Sequence, residues 1–223
     1  MNGLDTPMDV VIWGAAGHSK VLAECLSHAS RRIVALFDND PRAVSTLAGV
    51  PISIGVEGFR QWRDAHPEPT GFLVAIGGDR GSARVAIHEF LRRQGLLPVT
   101  VTHPTAFVAR DAVLGESCQV LARAAVCVGA RLGFETIVNT AASVDHECTL
   151  GKGVHIAPGA TLAGCVTVGD FAMIGAGSVI LPRRSIGAYT TVGAGSVVTR
   201  DLPERVVAWG NPARVRRGAN LDS

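Results

Sequence analysis

His146 stands between two carboxylates, in the run Asp145-His146-Glu147. An imidazole titrates near neutral pH, and an adjacent carboxylate orients it and raises its basicity, so the triplet has the makings of a general base. A base of this kind serves a nucleophile that must shed a proton as it attacks. The plain alternative is an exposed histidine among acids. A second group lies early in the chain, where the turn GAAGHSK runs from Gly14 to Lys20. It follows an apolar run and leads into the segment VLAECL, so its backbone N–H groups and a helix N-terminus are available to a phosphate. Asp38 and Gly77 close two further apolar runs, and an acid in that position commonly accepts hydrogen bonds from a ribose or a base. Ala16 stands where G-x-G-x-x-G would have its middle glycine, which disfavours a dinucleotide site. Read alone, the turn is as readily a mere tight turn, and His18 as readily a packed or capping residue.

The elements that carry this second group alternate. DVVIWG, IVALFD and FLVAIGG read as buried strands, the segments after Gly14 and Arg80 as helices, and PVTVTHP as a last extended piece. Strands alternating with helices imply an α/β domain with a small parallel sheet, Rossmann-like in layout. Ligands on such sheets sit at the carboxyl ends of the strands, where Gly14, Asp38 and Gly77 fall.

The elements that carry His146 repeat. Every sixth residue from Val108 to Val198 is Val, Leu or Ile, 16 in succession. Glycine follows at 115, 133, 151, 169, 175, 187 and 193, with Asn139 and Asp145 at two more such places. These types suit a corner with positive φ, and the side chain two residues before the aliphatic one is usually small. A period of six fits neither a helix nor a hairpin strand. It predicts a solenoid of short strands and corners, three hexads to a coil and about five coils in all.

The repeat resembles that of the hexapeptide-repeat acyltransferases. Joined to a small α/β domain bearing GAAGHSK, it is similar to the sugar acetyltransferases of the PglD and NeuD type over nearly the whole chain. The resemblance implies a left-handed parallel β-helix, with residues 1–103 forming a nucleotide-sugar-binding domain and residues 104–223 an acetyltransferase domain with a C-terminal tail. It implies acetyl-CoA as co-substrate, lying between the prisms of a homotrimer, and no metal. The activity it implies is N-acetylation of a UDP- or GDP-linked 4-amino-4,6-dideoxy sugar, with O-acetylation of a sialic acid or a related sugar as the alternative. His146 matches the family's base and Glu147 its partner. Gly14, Gly17 and His18 match the sugar-binding loop, with Ala16 inside it. Asp38 and Asn39 match the positions that contact the base, and Gly77 lies on the corresponding third strand. His155, Ala176 and Ala194 match positions near the coenzyme, and the tail AWGNPARVRR brings Arg214 toward its phosphates. Gly164 is a candidate for donating an N–H to the oxyanion of acyl transfer. Asn139 is either a contact to the base or amine, or a corner residue.

The rest of the composition narrows the field. A net charge of +2 argues against nucleic acid as a partner. Five cysteines without a C-x-x-C pair fit reduced thiols in the cytoplasm. No apolar run is long enough to span a bilayer, and the N-terminus lacks the pattern of a secretion signal. A zinc enzyme on the same β-helix would want three histidine ligands, two of them five apart. The repeat supplies His146 and His155, nine apart. A non-catalytic nucleotide-sugar-binding trimer is the remaining reading, and the intact Asp-His-Glu triplet argues against it.

Overall fold

The computed structural model describes residues 8–29 and 31–218. The first unit is a five-stranded, all-parallel sheet built from β1 (Met8–Trp13), β2 (Arg31–Asp38), β3 (Ile52–Ile54), β4 (Gly71–Val74) and β5 (Leu97–Pro98), in the order β3-β2-β1-β4-β5. Three helices cover it: α1 (Gly17–Leu26), α2 (Gly55–Ala65) and α3 (Gly81–Arg93). β1 and β4 are apolar almost throughout and buried, as a central parallel strand with both faces covered must be. Trp13, Phe37, Phe59 and Phe90 pack on one another on one side of the sheet. β3 and α2 are additions to the sequence expectation, and the strand expected over FLVAIGG is β4, which stops at Val74, before the paired glycines.

Seventeen two-residue strands follow, from Val101–Thr102 to Val197–Val198, on the three faces of a left-handed parallel β-helix. Each rung pairs in parallel with the rung one coil away, so that His155 lies between Ile137 and Met173. The first face runs through Gln119, Ile137, His155, Met173 and Thr191. The second runs through Phe107, Ala125, Ser143, Thr161, Val179 and Val197. The third runs from Val113 to Ser185. The six-spaced aliphatics fill the prism, and small residues such as Cys118, Ala124, Ala142, Ala160 and Ser178 close the gaps beside them. A hairpin of Val206–Gly210 and Ala213–Gly218 caps the first face, pairing with Thr191–Val192.

One expectation is corrected. The positive φ does not fall on the glycine directly after the aliphatic residue but two residues later, as at Ser117, Ala141, Glu147 and Cys165 (φ +53, +55, +58 and +61). The glycine lacks a side chain for another reason. A Cβ at Gly133 would lie 2.6 Å from backbone atoms of Gly151 and Lys152 in the next coil, so it is contact between coils that excludes a side chain.

The α/β unit sits on the first face of the prism. Leu121 and Ile137 belong to the same apolar cluster as Val10, Ile12, Leu22 and Leu73. The fully buried Arg84 of α3 donates to the carbonyls of Ile76 (2.6 Å), Glu135 (2.9 Å) and Gly153 (2.7 Å), joining both units. Burial pulls its guanidinium down to about 10, which leaves it charged near neutral pH. The junction takes in Val101–Thr102, whose strand is already the first rung of the prism.

Candidate active site

Asp145-His146-Glu147 forms the corner between the second and third faces. Asp145 Oδ1 accepts the His146 backbone N–H at 2.7 Å. The Glu147 N–H donates to Val128 in the preceding coil, and the His146 carbonyl accepts Cys165 N–H in the following one, each at 2.9 Å. The corner is therefore held from both sides. His146 Nδ1 lies 3.1 Å from Glu147 Oε2. An ionised carboxylate only accepts, so Nδ1 carries the proton and Nε2 keeps its lone pair, the tautomer a base requires. Both side chains reach solvent, the histidine 49% exposed and the glutamate 69%. Gly164 lies one coil beyond His146. A Cβ there would sit 2.1 Å from Nε2, so the imidazole can occupy this place only over a glycine.

The second group is assembled at the carboxyl end of the sheet. Gly14 takes φ +109, and a Cβ on it would lie 2.6 Å from the Ala75 carbonyl. Asp38 accepts Ala15 N–H on one oxygen (2.7 Å) and Asp40 N–H on the other (2.9 Å), so it braces the turn as well as ending β2. Asn39 beside it is exposed. Ala16 and Gly17 are exposed at the start of α1, which has no side-chain cap and no acid in its first turn. A Cβ at Gly17 would meet nothing within 4 Å. Free N–H groups at an uncapped helix N-terminus, facing open space, suit an anion.

His18 Nε2 lies 2.7 Å from Gln119 Oε1, and Gln119 Nε2 donates to the Val74 carbonyl at 2.8 Å. That second bond fixes the amide, so Nε2 of His18 is the donor. Burial, with Arg84 as a lesser cause, outweighs this bond and lowers the His18 pKa. His155 is held in the same region. The Gly78 N–H donates to its Nδ1 at 2.8 Å, Asn139 Nδ2 lies 3.1 Å from its Nε2, and a Cβ at Gly77 would stand 3.6 Å from its ring. Burial pushes its pKa down to about 4, so the ring is neutral.

The predicted residues therefore fall into three places. Gly14, Ala16, Gly17, His18, Asp38, Asn39 and Gly77 share the sheet's carboxyl end, and His155 joins them from the first face. His146, Glu147 and Gly164 share the corner half a coil away. Ala176 and Ala194 are exposed on adjacent coils at the corner between the first and second faces, while Arg214 lies on the capping hairpin with Nη1 on the Ala213 carbonyl. Gln119 and Arg84 escaped the sequence reading, because in sequence they are an outward rung residue and a helix arginine, and only docking of the two units buries them.

An α/β sheet with an anion-ready turn, set on a triangular β-helix with a histidine–glutamate corner, defines a nucleotide-sugar type of hexapeptide acyltransferase. Comparison with known proteins agrees. Residues 9–88 match the PglD N-terminal domain, and residues 165–200 match the bacterial transferase hexapeptide (six repeats). The chain belongs to the PglD-type, hexapeptide-repeat sugar acetyltransferases. It is 37% identical to a histidine variant of perosamine N-acetyltransferase from Caulobacter crescentus, solved with CoA and GDP-perosamine, over 93% of this chain and 96% of that one, with a TM-score of 0.85. The acetyltransferase domain of PglB from Neisseria gonorrhoeae FA1090, solved with acetyl coenzyme A, is 33% identical over 93% and 98% of the two chains, with a TM-score of 0.82. GDP-perosamine N-acetyltransferase of Escherichia coli O157:H7 is 34% identical over 99 residues, a stretch that spans less than half of that enzyme, 44%. Among the described residues no helix is long and apolar enough to cross a membrane.

Proposed function

We propose that this protein transfers the acetyl group of acetyl-CoA to the amine of a nucleotide-linked 4-amino-4,6-dideoxy sugar. The observation that carries the reading is the His146 Nδ1 contact with Glu147, which leaves Nε2 free above Gly164. As the amine attacks the thioester carbonyl, His146 Nε2 takes its proton, and Glu147 stabilises the imidazolium through Nδ1–H. The Gly164 N–H is the proposed donor to the oxyanion. Collapse expels the thiolate of the coenzyme, to which His146 returns the proton. No covalent enzyme intermediate is needed.

The α/β unit, residues 1–103, holds the nucleotide sugar, and residues 104–223 hold the coenzyme. The diphosphate lies against the N–H groups of Ala16, Gly17 and His18, and Asp38 and Asn39 flank the nucleoside. Ala176 and Ala194 leave room for the pantetheine arm, and Arg214 meets the coenzyme phosphates. His155, fixed by Gly78 on the nucleotide side of its own prism, comes near the acetyl group only across the gap to a neighbouring prism. The assembly is a homotrimer, because within one chain the His146 corner and the nucleotide turn lie on different sides of the prism and a neighbouring prism can close the gap. The five free cysteines suit the cytoplasm as the place of action.

The test is a thiol-release assay with acetyl-CoA against GDP- and UDP-linked amino sugars, beginning with GDP-perosamine because the similar enzymes carry that name. Turnover with one carrier, reduced about 10²–10⁴-fold in His146→Ala, is the expected result. Activity on a hydroxyl sugar alone would replace N- by O-acetylation, and wild-type turnover in His146→Ala would remove the base.

A further inference from the structure

Cys165 stands one coil beyond Glu147, at the same corner of the prism, and its Sγ lies 3.7 Å from Glu147 Oε2. The same carboxylate oxygen lies 3.1 Å from His146 Nδ1. Nitrogen, oxygen and sulfur thus come from three side chains within 4.8 Å of one another. Zinc binds imidazole, carboxylate and thiolate at about 2.0–2.3 Å, so two of its ligands in a tetrahedral site stand roughly 3.4 Å apart. His146 and Glu147 are exposed and Cys165 half-buried, so closing to that spacing asks for rotation of the two exposed side chains toward the sulfur. A fourth position stays open to water, because His146 and Glu147 both reach solvent.

We propose that His146, Glu147 and Cys165 form a reversible zinc site that switches the transferase off. Zinc takes the Cys165 sulfur as thiolate and releases its proton to water. It takes the Nδ1 lone pair of His146, so the neutral ring must carry its proton on Nε2 instead. Nε2–H cannot accept the proton of the attacking amine. The carboxylate of Glu147, bound to the ion, no longer supports an imidazolium. One ion therefore removes the base without filling the acceptor site. The switch rests on the reading of His146 as base, whereas metal binding does not.

The experiment uses the full chain stripped of metal with EDTA. Zinc affinity is read by competition with a chromophoric chelator, and cobalt(II) replaces zinc for absorption spectroscopy. The result expected is one ion at this corner, a sulfur-to-cobalt charge-transfer band, and acetyl transfer lost with zinc and restored by EDTA. Cys165→Ser should abolish the band, weaken zinc binding at least tenfold and raise the half-inhibiting zinc concentration in step, with metal-free kcat/KM within twofold of wild type. A second cluster among the described residues, Glu24, His28 and His103, has no thiol and gives no such band, and loss of the band in Cys165→Ser tells this sulfur from the other free cysteines. Absence of the band, or a band and zinc affinity unchanged in Cys165→Ser, overturns the site. A band that disappears in Cys165→Ser while zinc-loaded enzyme keeps full activity overturns the switch and leaves the metal site standing, and turnover of His146→Ala decides the base separately.

Discussion

At the scale of single residues, the active corner depends on an absence as much as on a presence. His146 and Glu147 supply the proton chemistry, but the ring stands where it does because Gly164 has no side chain. A methyl group 2.1 Å from Nε2 is far inside contact distance and would drive the imidazole out of its place. Gly164→Ala should therefore lower kcat by about 10²-fold or more, approaching the loss in His146→Ala. Gly164 is a corner residue with ordinary φ, so the melting temperature should fall little, because the exposed imidazole can swing into solvent. Thiol release and thermal melts on one preparation check both halves. A Gly164→Ala enzyme with wild-type kcat would mean that the ring works from another position.

At the scale of the coil, two kinds of corner position behave oppositely. At Gly133 the next coil lies against the missing side chain, with backbone 2.6 Å from where a Cβ would be. Gly133→Ala should cost about 2–4 kcal/mol by forcing stacked coils apart. Ala141 is exposed at φ +55, where a Cβ is itself the burden. Ala141→Gly should stabilise by up to about 1 kcal/mol, since relief of left-handed strain outweighs the added freedom of the unfolded chain. Urea unfolding midpoints should move in opposite directions for the two variants. The same sign for both would show that backbone conformation and coil contact had been assigned to the wrong positions.

At the scale of the whole molecule, the junction between sheet and prism carries buried charge and buried imidazole. Arg84 spans it, and Glu135 and His88 meet it with a 3.0 Å contact between them. Burial raises the Glu135 pKa, and its Oε2 has no hydrogen-bond partner among the described residues although Arg84 Nε lies 3.7 Å away. His155 gives the junction a pH dependence. Its pKa falls from 6.5 to about 4 on folding, so between these values the unfolded chain binds more protons and stability rises with pH. The full contribution is present above pH 6.5. It is lost as pH falls, to a total of ~3 kcal/mol once pH passes below 4. His18, also lowered by burial, acts in the same direction. Wild-type stability in urea should drop between pH 7 and pH 5, and His155→Gln should lose much of that slope. An unchanged slope would place His155 in solvent.

Much of this molecule was legible in the residues alone. The six-residue period sets the prism, since each coil contacts only its neighbours and the pattern of inward aliphatics is local. The alternation of apolar runs and helices sets the sheet, and Asp145-His146-Glu147 and the Gly14–Lys20 turn are each contiguous, so spacing exposes them. What spacing cannot show is contact between distant segments. That Gly133 is a contact and Gly164 a seat for a ring, that Gln119 and Arg84 are buried, and that His155 meets Gly78 rather than the corner nine residues before it all depend on packing across coils or between units. A period records which way a side chain points, and only the tertiary structure decides what stands opposite it.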